Sequence, residues 1–315
     1  MSIGSRLTIA TVALGSKFFL NTACASVKIH GLDHLLTALD EAGRKDRGII
    51  TGKLCSESRI NNSSSCKHHR VDDPVAWGAL PTRHCILNPR NMRWTLGASD
   101  IMFTNPVYNW FFRNGQVIET VRGAGVHQPA VDIAVDRLNS GAWVHVFPEG
   151  KVNQGSCQPG GKLLRFKWGV GRMIMSTTKT PVIIPMNISG LEKVMPEPRR
   201  FKFLPRPGHH ISITFGDPAA LTQQVDRLVQ EWRSSRPSIR SVETSTNVPP
   251  LVRDTVVSEL AGDVDTARLS GQVRKQAIDN LEKEIDWTDE EIARVNIVAL
   301  LQDGVARLAL DAHPL

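Results

Sequence analysis

Three groups of side chains in the 315-residue sequence are suited to acid–base chemistry or to anion binding. The first group is His68 with Asp72 and Asp73. A carboxylate near an imidazole orients the ring and stabilises its charged form, so that the other ring nitrogen can abstract a hydroxyl proton. Asp73 followed by Pro74 also has the pattern of a helix start, with Asp as the N-cap and Pro at the first helical position. Local sequence leaves both interpretations open.

The second group is the sequence Phe147-Pro148-Glu149-Gly150, which ends an apolar run abruptly. In α/β proteins, ligands bind where buried strands end at the rim of the sheet. A carboxylate at that position can accept hydrogen bonds from the hydroxyl groups of a polar substrate. The same residue types are common in a turn that only ends a strand, and residue types alone favour this plainer interpretation.

The third group is Arg122, which follows a strand-like run and precedes Gly123-Ala124-Gly125. A guanidinium beside a glycine-rich segment can bind a phosphate with two parallel hydrogen bonds. The alternative is a solvated surface arginine, the usual state of a lone Arg. A basic and apolar cluster further on suits either an anionic membrane or an ordinary solvated loop. It consists of Arg199, Arg200, Lys202 and Arg206 with Phe201, Phe203 and Leu204.

No motif requires a metal or a cofactor. The five cysteines are irregularly spaced, so they predict no disulfide framework. One cluster superficially resembles a zinc site but lacks the paired spacing of a zinc finger or ribbon; it comprises Cys66, His68, His69, His84 and Cys85. No nucleophile elbow is present, which argues against a Ser-His-Asp hydrolase.

The net charge of +7 favours anionic partners such as phospholipid headgroups or nucleic acid. Nucleic acid is the weaker interpretation, because no helix-turn-helix, zinc or RNA-binding motif accompanies the charge. The first acidic residue is Asp33, and residues 7–20 are mostly apolar. Such a start is typical of an interfacial membrane anchor or a mitochondrial targeting segment. A buried first helix is the alternative.

The pattern between residues 72 and 218 alternates between helix and strand. Buried strands are indicated by the nearly all-apolar runs WVHVF and VIIP. The sequence therefore predicts an α/β fold with a central mixed or mostly parallel sheet, helices packed around it and a helical C-terminal tail. Helices are predicted at 74–80, 105–113, 129–138, 163–177 and 219–233, and strands at 84–87, 116–121, 143–147, 182–186 and 211–215. Thr288 and Glu291 form a capping-box pattern in the tail.

Four phrases of the sequence resemble, in order and spacing, the glycerolipid acyltransferase superfamily and, within it, the tafazzin family. They are DDPVAWG (72–78), RWTLGASDIMFTNP (93–106), VHVFPEGKVNQ (144–154) and LRFKWGVGRMI (164–174). Four phrases in register over about a hundred residues make the resemblance specific, although it thins before residue 50 and beyond residue 235.

The resemblance implies roles for residues at matching positions. Arg122 matches the phosphate-binding arginine of the family, and Phe147–Gly150 matches its Phe-Pro-Glu-Gly block. The histidine motif departs from the family pattern, in which Asn-His and four residues precede the first Asp of Asp-Asp-Pro. That spacing places Lys67 where the His is expected, whereas His68 has the required spacing to Asp73. We therefore expect His68 to be the general base, oriented by Asp72 or Asp73, and His69 to matter less.

The resemblance also predicts the organisation of the chain. Residues 1–45 would associate with the membrane, and residues 46–235 would form the acyltransferase domain. Residues 52–67 have no counterpart in the family pattern and are interpreted as an insertion. Residues 236–250, rich in Ser, Thr and Pro, are predicted to be a linker, followed by a helical appendage at 251–315.

The activity implied by the resemblance is coenzyme-A-independent acyl transfer from a phospholipid to a lysophospholipid, in cardiolipin remodelling. The expected location is a peripheral or interfacial position on an anionic mitochondrial membrane, and the oligomeric state stays open. One alternative is an acyl-CoA-dependent lysophospholipid or glycerol-3-phosphate acyltransferase. Another is an inactive membrane-binding homologue, because of the shifted His motif.

Overall fold

A computed structural model of the chain describes residues 2–55, 78–84, 88, 91–150, 165–194, 206–235 and 288–311. Within these residues, one sheet contains seven strands in the order β1-β7-β6-β2-β5-β3-β4. The strands are β1 (Ser26–His30), β2 (Ile49–Cys55), β3 (Trp94–Ala98), β4 (Val117–Thr120), β5 (Trp143–Val146), β6 (Val182–Ser189) and β7 (His210–Phe215). The five strands from β6 to β4 are parallel, and β7 is antiparallel to β6. The predicted mixed, mostly parallel α/β sheet is confirmed.

Helices follow most of the strands. They are α1 (Ile3–Thr22), α2 (Leu32–Asp40), α3 (Ser99–Met102), α4 (Pro106–Asn114), α5 (Pro129–Asn139), α6 (Gly169–Met175), α7 (Leu191–Val194), α8 (Pro218–Ser235) and α9 (Asp289–Asp311), with a 3-10 turn at Ala42–Lys45. Local sequence explains several of the starts. The Asn105 side chain caps α4 by accepting from the Tyr108 amide, and Pro106 takes the first helical position.

The two faces of the sheet are covered by different helices. Side chains of α1 and α2 pack on one face, together with Ile184 and Met186 of β6. Side chains of α5, α6, α8 and α9 pack on the other face, together with Ile183. Successive residues of a strand point to opposite faces, so a strand buried on both sides must be apolar throughout. This explains why β5 and β6 are the clearest strands in the sequence.

Most predicted elements are confirmed within the described residues. The strands predicted at 116–121, 143–147, 182–186 and 211–215 are β4 to β7, and the helices at 105–113, 129–138 and 219–233 are α4, α5 and α8. Of the strand predicted at 84–87, only residue 84 is described, and it ends a helical turn at 82–84. His84 is buried there, and its Nε2 lies 3.1 Å from the Asp40 carboxylate. The strands β1, β2 and β3 were not predicted.

The C-terminal helix α9 begins with the predicted capping box. The Glu291 amide donates to the Thr288 hydroxyl, and the Thr288 amide donates to the Glu291 carboxylate. The helix packs on α8, α6 and β6, and its apolar face is buried in the second core cluster. Helix α9 lies within the helical appendage predicted at 251–315, and it covers one face of the sheet. Residues 236–287 lie outside the described residues.

Strand β2 extends into the segment 52–67 that was interpreted as an insertion. It pairs with β6 up to Cys55, which lies opposite Ile188. Residues 52–55, the beginning of the segment interpreted as an insertion, are therefore part of the sheet. The remaining residues of that segment, 56–67, lie outside the described residues.

Candidate functional site

The structure brings two of the predicted groups to one edge of the sheet. Strands β4 and β5 are both parallel to β3, so their carboxyl ends share an edge. Arg122 follows β4, and Phe147–Gly150 follow β5. The three strands lie side by side, which separates the ends of β4 and β5 by roughly 10 Å, two strand spacings. His68, His69, Asp72 and Asp73 lie outside the described residues, so their role stays a prediction.

The Phe147-Pro148-Glu149-Gly150 sequence forms a tight turn. The Gly150 amide donates to the Phe147 carbonyl at 3.0 Å, and Gly150 has φ of +68°, which glycine adopts without strain. The Lys167 amide donates to the Pro148 carbonyl at 2.6 Å and ties the turn to the segment before α6. Glu149 is only 5% exposed, so its carboxylate lies within the protein rather than in open solvent.

A buried polar network lies beneath this turn. The Trp143 indole N–H donates to the Thr51 hydroxyl at 2.9 Å, and that hydroxyl shares a 2.7 Å hydrogen bond with Nδ1 of His145. The Thr51 hydroxyl thus accepts from Trp143, and the direction of its bond to His145 follows the tautomer of the imidazole. The His145 ring meets Phe147 edge to face, with centroids 4.9 Å apart. The network links the middle of the sheet to the first residue of the turn.

Arg122 is an exposed cation at this sheet edge. Its side chain is 40% exposed, and one guanidinium nitrogen lies 3.5 Å from the Asp100 carboxylate, itself 57% exposed. Exposed ion pairs of this kind contribute about 0–1 kcal/mol. A phosphate could therefore replace Asp100 as the partner of Arg122 at small cost.

The loop that carries Arg122 is held at both ends by Gln128. The Gln128 side chain accepts from the Val121 amide at 3.1 Å and donates to the Gly125 carbonyl at 2.8 Å. Arg172 of α6 adds a 2.8 Å hydrogen bond to the Val126 carbonyl and pairs with Asp132. Sequence reasoning missed both side chains. The only sequence signal for Gln128 is that it immediately precedes Pro129 at a helix start, and Arg172 has none.

Among the described residues, no group of three or more His, Cys, Asp or Glu side chains could hold a metal ion. Burial raises the pKa of the Cys24 thiol, and a hydrogen bond from Lys179 lowers the pKa of Asp46. Desolvation lowers the pKa of Arg93, which precedes β3 at the opposite edge of the sheet from Arg122.

Helices α1 and α4 expose a band of apolar side chains. The exposed residues are Ile3, Leu7, Leu14 and Phe18 of α1 with Val107, Trp110 and Phe111 of α4, and this set is called the α1–α4 apolar surface. The two helices are in contact, and the Ser5 hydroxyl donates to the Asn114 carbonyl at 2.7 Å. By length and composition, α1 could cross a membrane. Its inner side is nevertheless packed, because Ile9, Ala13 and Leu20 belong to the core.

Comparison with known proteins identifies relatives of the chain. Residues 66–189 match the family described as Acyltransferase. The chain is 36% identical over 214 residues to a protein named taffazin from Dictyostelium discoideum, an alignment that covers 67% of this chain and 68% of that protein. It is 35% identical over 178 residues to an N-acylphosphatidylethanolamine synthase from Arabidopsis thaliana, covering 55% of this chain and 61% of the relative. The chain thus spans less than two thirds of the Arabidopsis protein.

Among solved structures, the chain matches the 1-acyl-sn-glycerophosphate (LPA) acyltransferase PlsC from Thermotoga maritima. The TM-score is 0.43 at 19% identity, and the match covers 74% of this chain and 81% of that chain.

Proposed function

Because this chain belongs to the tafazzin family of acyltransferases, we propose that it moves fatty acyl chains from a phospholipid donor to a lysophospholipid acceptor without coenzyme A. Cardiolipin is the proposed lipid product, with monolysocardiolipin as the acceptor. The observation that carries this proposal is the placement of an exposed guanidinium and the Phe-Pro-Glu-Gly turn at the same sheet edge. A lipid with a phosphate headgroup and a nearby glycerol can engage both.

Arg122 is proposed to hold the headgroup phosphate. A guanidinium presents two parallel N–H groups to a phosphate, and such charge-assisted hydrogen bonds are about twice as strong as neutral ones. Asp100 keeps the guanidinium near the sheet edge when lipid is absent. Glu149 is proposed to order the acceptor end, from a position shielded from water.

His68 is proposed as the general base, oriented by Asp72 or Asp73. The neutral imidazole takes the proton of the acceptor hydroxyl, and the hydroxyl oxygen forms an ester bond to the acyl carbon of the donor. The bond between that carbon and the donor's glycerol oxygen breaks, and the departing oxygen receives the proton from the imidazolium. The donor becomes a lysophospholipid, so this exchange needs no other reactant.

The α1–α4 apolar surface is proposed to contact the membrane that supplies these lipids. Neither α1 nor α4 contains an acidic residue, whereas Arg6, Lys17 and Arg113 are basic, which suits an anionic surface such as a cardiolipin-rich mitochondrial membrane. The packed inner side of α1 supports a helix that lies in the membrane interface, because crossing the bilayer would withdraw Ile9 and Leu20 from the core.

The proposed activity is tested with purified protein and two acyl donors. Vesicles contain phosphatidylcholine with a labelled acyl chain and monolysocardiolipin, and a parallel reaction supplies labelled acyl-CoA with the same acceptor. We expect transfer from phosphatidylcholine without coenzyme A, and its loss in Glu149→Gln. Phosphatidylethanolamine is included as a second acceptor because of the name of the Arabidopsis relative. Transfer from acyl-CoA alone would contradict the proposal and support a coenzyme-A-dependent enzyme.

Membrane contact is tested by cosedimentation with cardiolipin-containing vesicles. Trp110→Ser should weaken binding, because Trp110 is 61% exposed within the apolar surface. Ile133→Ser is the matched control, since Ile133 is also exposed but belongs to α5 on the opposite side of the sheet. Binding should fall as salt rises. Equal loss in both variants would contradict this docking surface.

A further inference from the structure

Residues Phe166 and Lys167 connect the site turn to the C-terminal helix. The Lys167 amide bonds to the Pro148 carbonyl of the turn at 2.6 Å. One residue earlier, the Phe166 amide donates to the Gln302 side-chain oxygen at 3.3 Å. Phe166 itself is 1% exposed and belongs to the core cluster that α9 covers. Two neighbouring amides are thus bonded to two different parts of the molecule.

The position of Gln302 is fixed by the close packing of α9. On one side, Gly171 of α6 lies so near that an added Cβ would be 2.9 Å from the Arg294 carbonyl oxygen. On the other side, Gly304 approaches Leu221 of α8, with 3.0 Å between the Leu221 side chain and an added Cβ. Two such contacts on neighbouring elements leave α9 little freedom to slide or rotate.

We propose that Gln302 is a positioning residue for the acyl-transfer site, which extends the function proposed above. By accepting from the Phe166 amide, it fixes the segment whose next amide holds the Pro148 carbonyl. The Lys167 side chain also packs against the turn, because an added Cβ at Gly150 would lie 3.0 Å from Cγ of Lys167. In this way, the C-terminal helix fixes the position of the turn that carries Glu149 relative to the sheet.

The chemistry of the side chain makes the inference testable. Glutamine supplies a carbonyl oxygen at the end of a three-atom stem, and glutamate supplies an oxygen at the same distance. Leucine has a similar volume but no acceptor, so Gln302→Leu leaves the Phe166 amide without its side-chain partner. A buried amide that loses its partner costs free energy, and the segment shifts to find another acceptor.

The experiment compares Gln302→Leu and Gln302→Glu in the full chain, with Val305→Ala as the control. Val305 packs in the same cluster, so its truncation lowers stability without removing the hydrogen bond. Hydrogen exchange of the Phe166 and Lys167 amides should accelerate about 3- to 10-fold in Gln302→Leu, the range for losing one hydrogen bond. It should stay near the unmodified rate in Gln302→Glu and Val305→Ala.

Acyl transfer between vesicle lipids supplies the second readout. In Gln302→Leu, kcat should fall about 3- to 10-fold while KM for the phospholipid donor stays constant, and Gln302→Glu should restore kcat. Unchanged exchange in Gln302→Leu, or an equal change in Val305→Ala, would overturn the proposal. If the unmodified chain transfers no acyl groups, the proposed function fails, while the exchange rates still decide whether Gln302 holds the segment.

Discussion

Adding one methyl group at Gly171 should loosen α9, whereas the same change at Gly169 should not. A Cβ on Gly171 would lie 2.8 Å from Cγ of Arg294, 2.9 Å from its carbonyl oxygen and 3.0 Å from a Val298 methyl. The carbonyl belongs to the backbone of α9, so a side-chain rotation cannot relieve the contact. A Cβ on Gly169, in the same helix, meets nothing within 4 Å. The two substitutions are therefore a matched pair.

The size of the effect follows from two opposing terms. Replacing glycine by alanine within a helix gains up to about 1 kcal/mol in helix propensity, and this gain applies in part to both positions. Overpacking a close contact costs about 1–3 kcal/mol, and this cost applies to Gly171 alone. We expect Gly171→Ala to be less stable than Gly169→Ala by about 2 kcal/mol. In a protein of 315 residues, that corresponds to about 3 °C in Tm.

Thermal and urea unfolding of both variants beside the unmodified chain measure this difference. Gly169→Ala should unfold at or slightly above the unmodified midpoint, and Gly171→Ala a few degrees below it. In a double variant, Gly171→Ala with Val298→Ala, the total loss should be smaller than the sum of the two single losses, because Val298→Ala frees one of the crowded contacts. Equal midpoints for the two single variants would refute the conclusion that α9 packs as part of the core.

Three further predictions concern the site. Asp100→Asn should lower KM for an anionic phospholipid by up to about 5-fold, because an exposed ion pair worth about 0–1 kcal/mol no longer competes with the lipid phosphate for Arg122. Arg122→Gln should raise this KM at least about 10-fold. His68→Ala should lower the transfer rate at least about 100-fold and His69→Ala much less; in the unmodified enzyme the rate should rise with pH through the imidazole pKa, since only the neutral ring accepts a proton. Thr51→Val should cost about 1–3 kcal/mol in urea unfolding by leaving Trp143 and His145 without their shared hydroxyl, and normal stability would contradict the buried network.

Sequence patterns identified the elements whose signals are local. The buried strands β5 and β6 have continuous apolar runs, and α9 begins with the capping box that the sequence predicted. The strand β1 was missed because three of its five residues are exposed, which leaves no apolar run. The strand β3 was missed because its buried positions are Thr95 and Gly97, which are not apolar side chains.

The packing of α9 could not be read from its sequence. Its apolar positions show that one side of the helix is buried, but they do not show which surface covers it. Its contacts with Gly171 and Leu221 join residues that are far apart in the chain. A Ser-, Thr- and Pro-rich segment before the tail favoured an appendage, and nothing in that composition shows where α9 packs.

The sequence predicted only part of the site. Arg122 and the Phe147–Gly150 turn follow strands, and parallel strands bring their carboxyl ends to one edge. Gln128 and Arg172 act through hydrogen bonds to backbone carbonyls and amides. Such bonds depend on where the loop lies rather than on residue type, so no sequence motif indicates them.

The mass balance of lipids in a coenzyme-A-free reaction tests the proposed acyl transfer most directly. Purified protein is incubated with phosphatidylcholine and monolysocardiolipin in vesicles, and every lipid species is quantified by mass spectrometry over time. Transacylation predicts that one molecule of lysophosphatidylcholine forms for each acyl chain that monolysocardiolipin gains, and that no free fatty acid is released. Accumulation of free fatty acid, or the absence of any transfer until acyl-CoA is added, would contradict it.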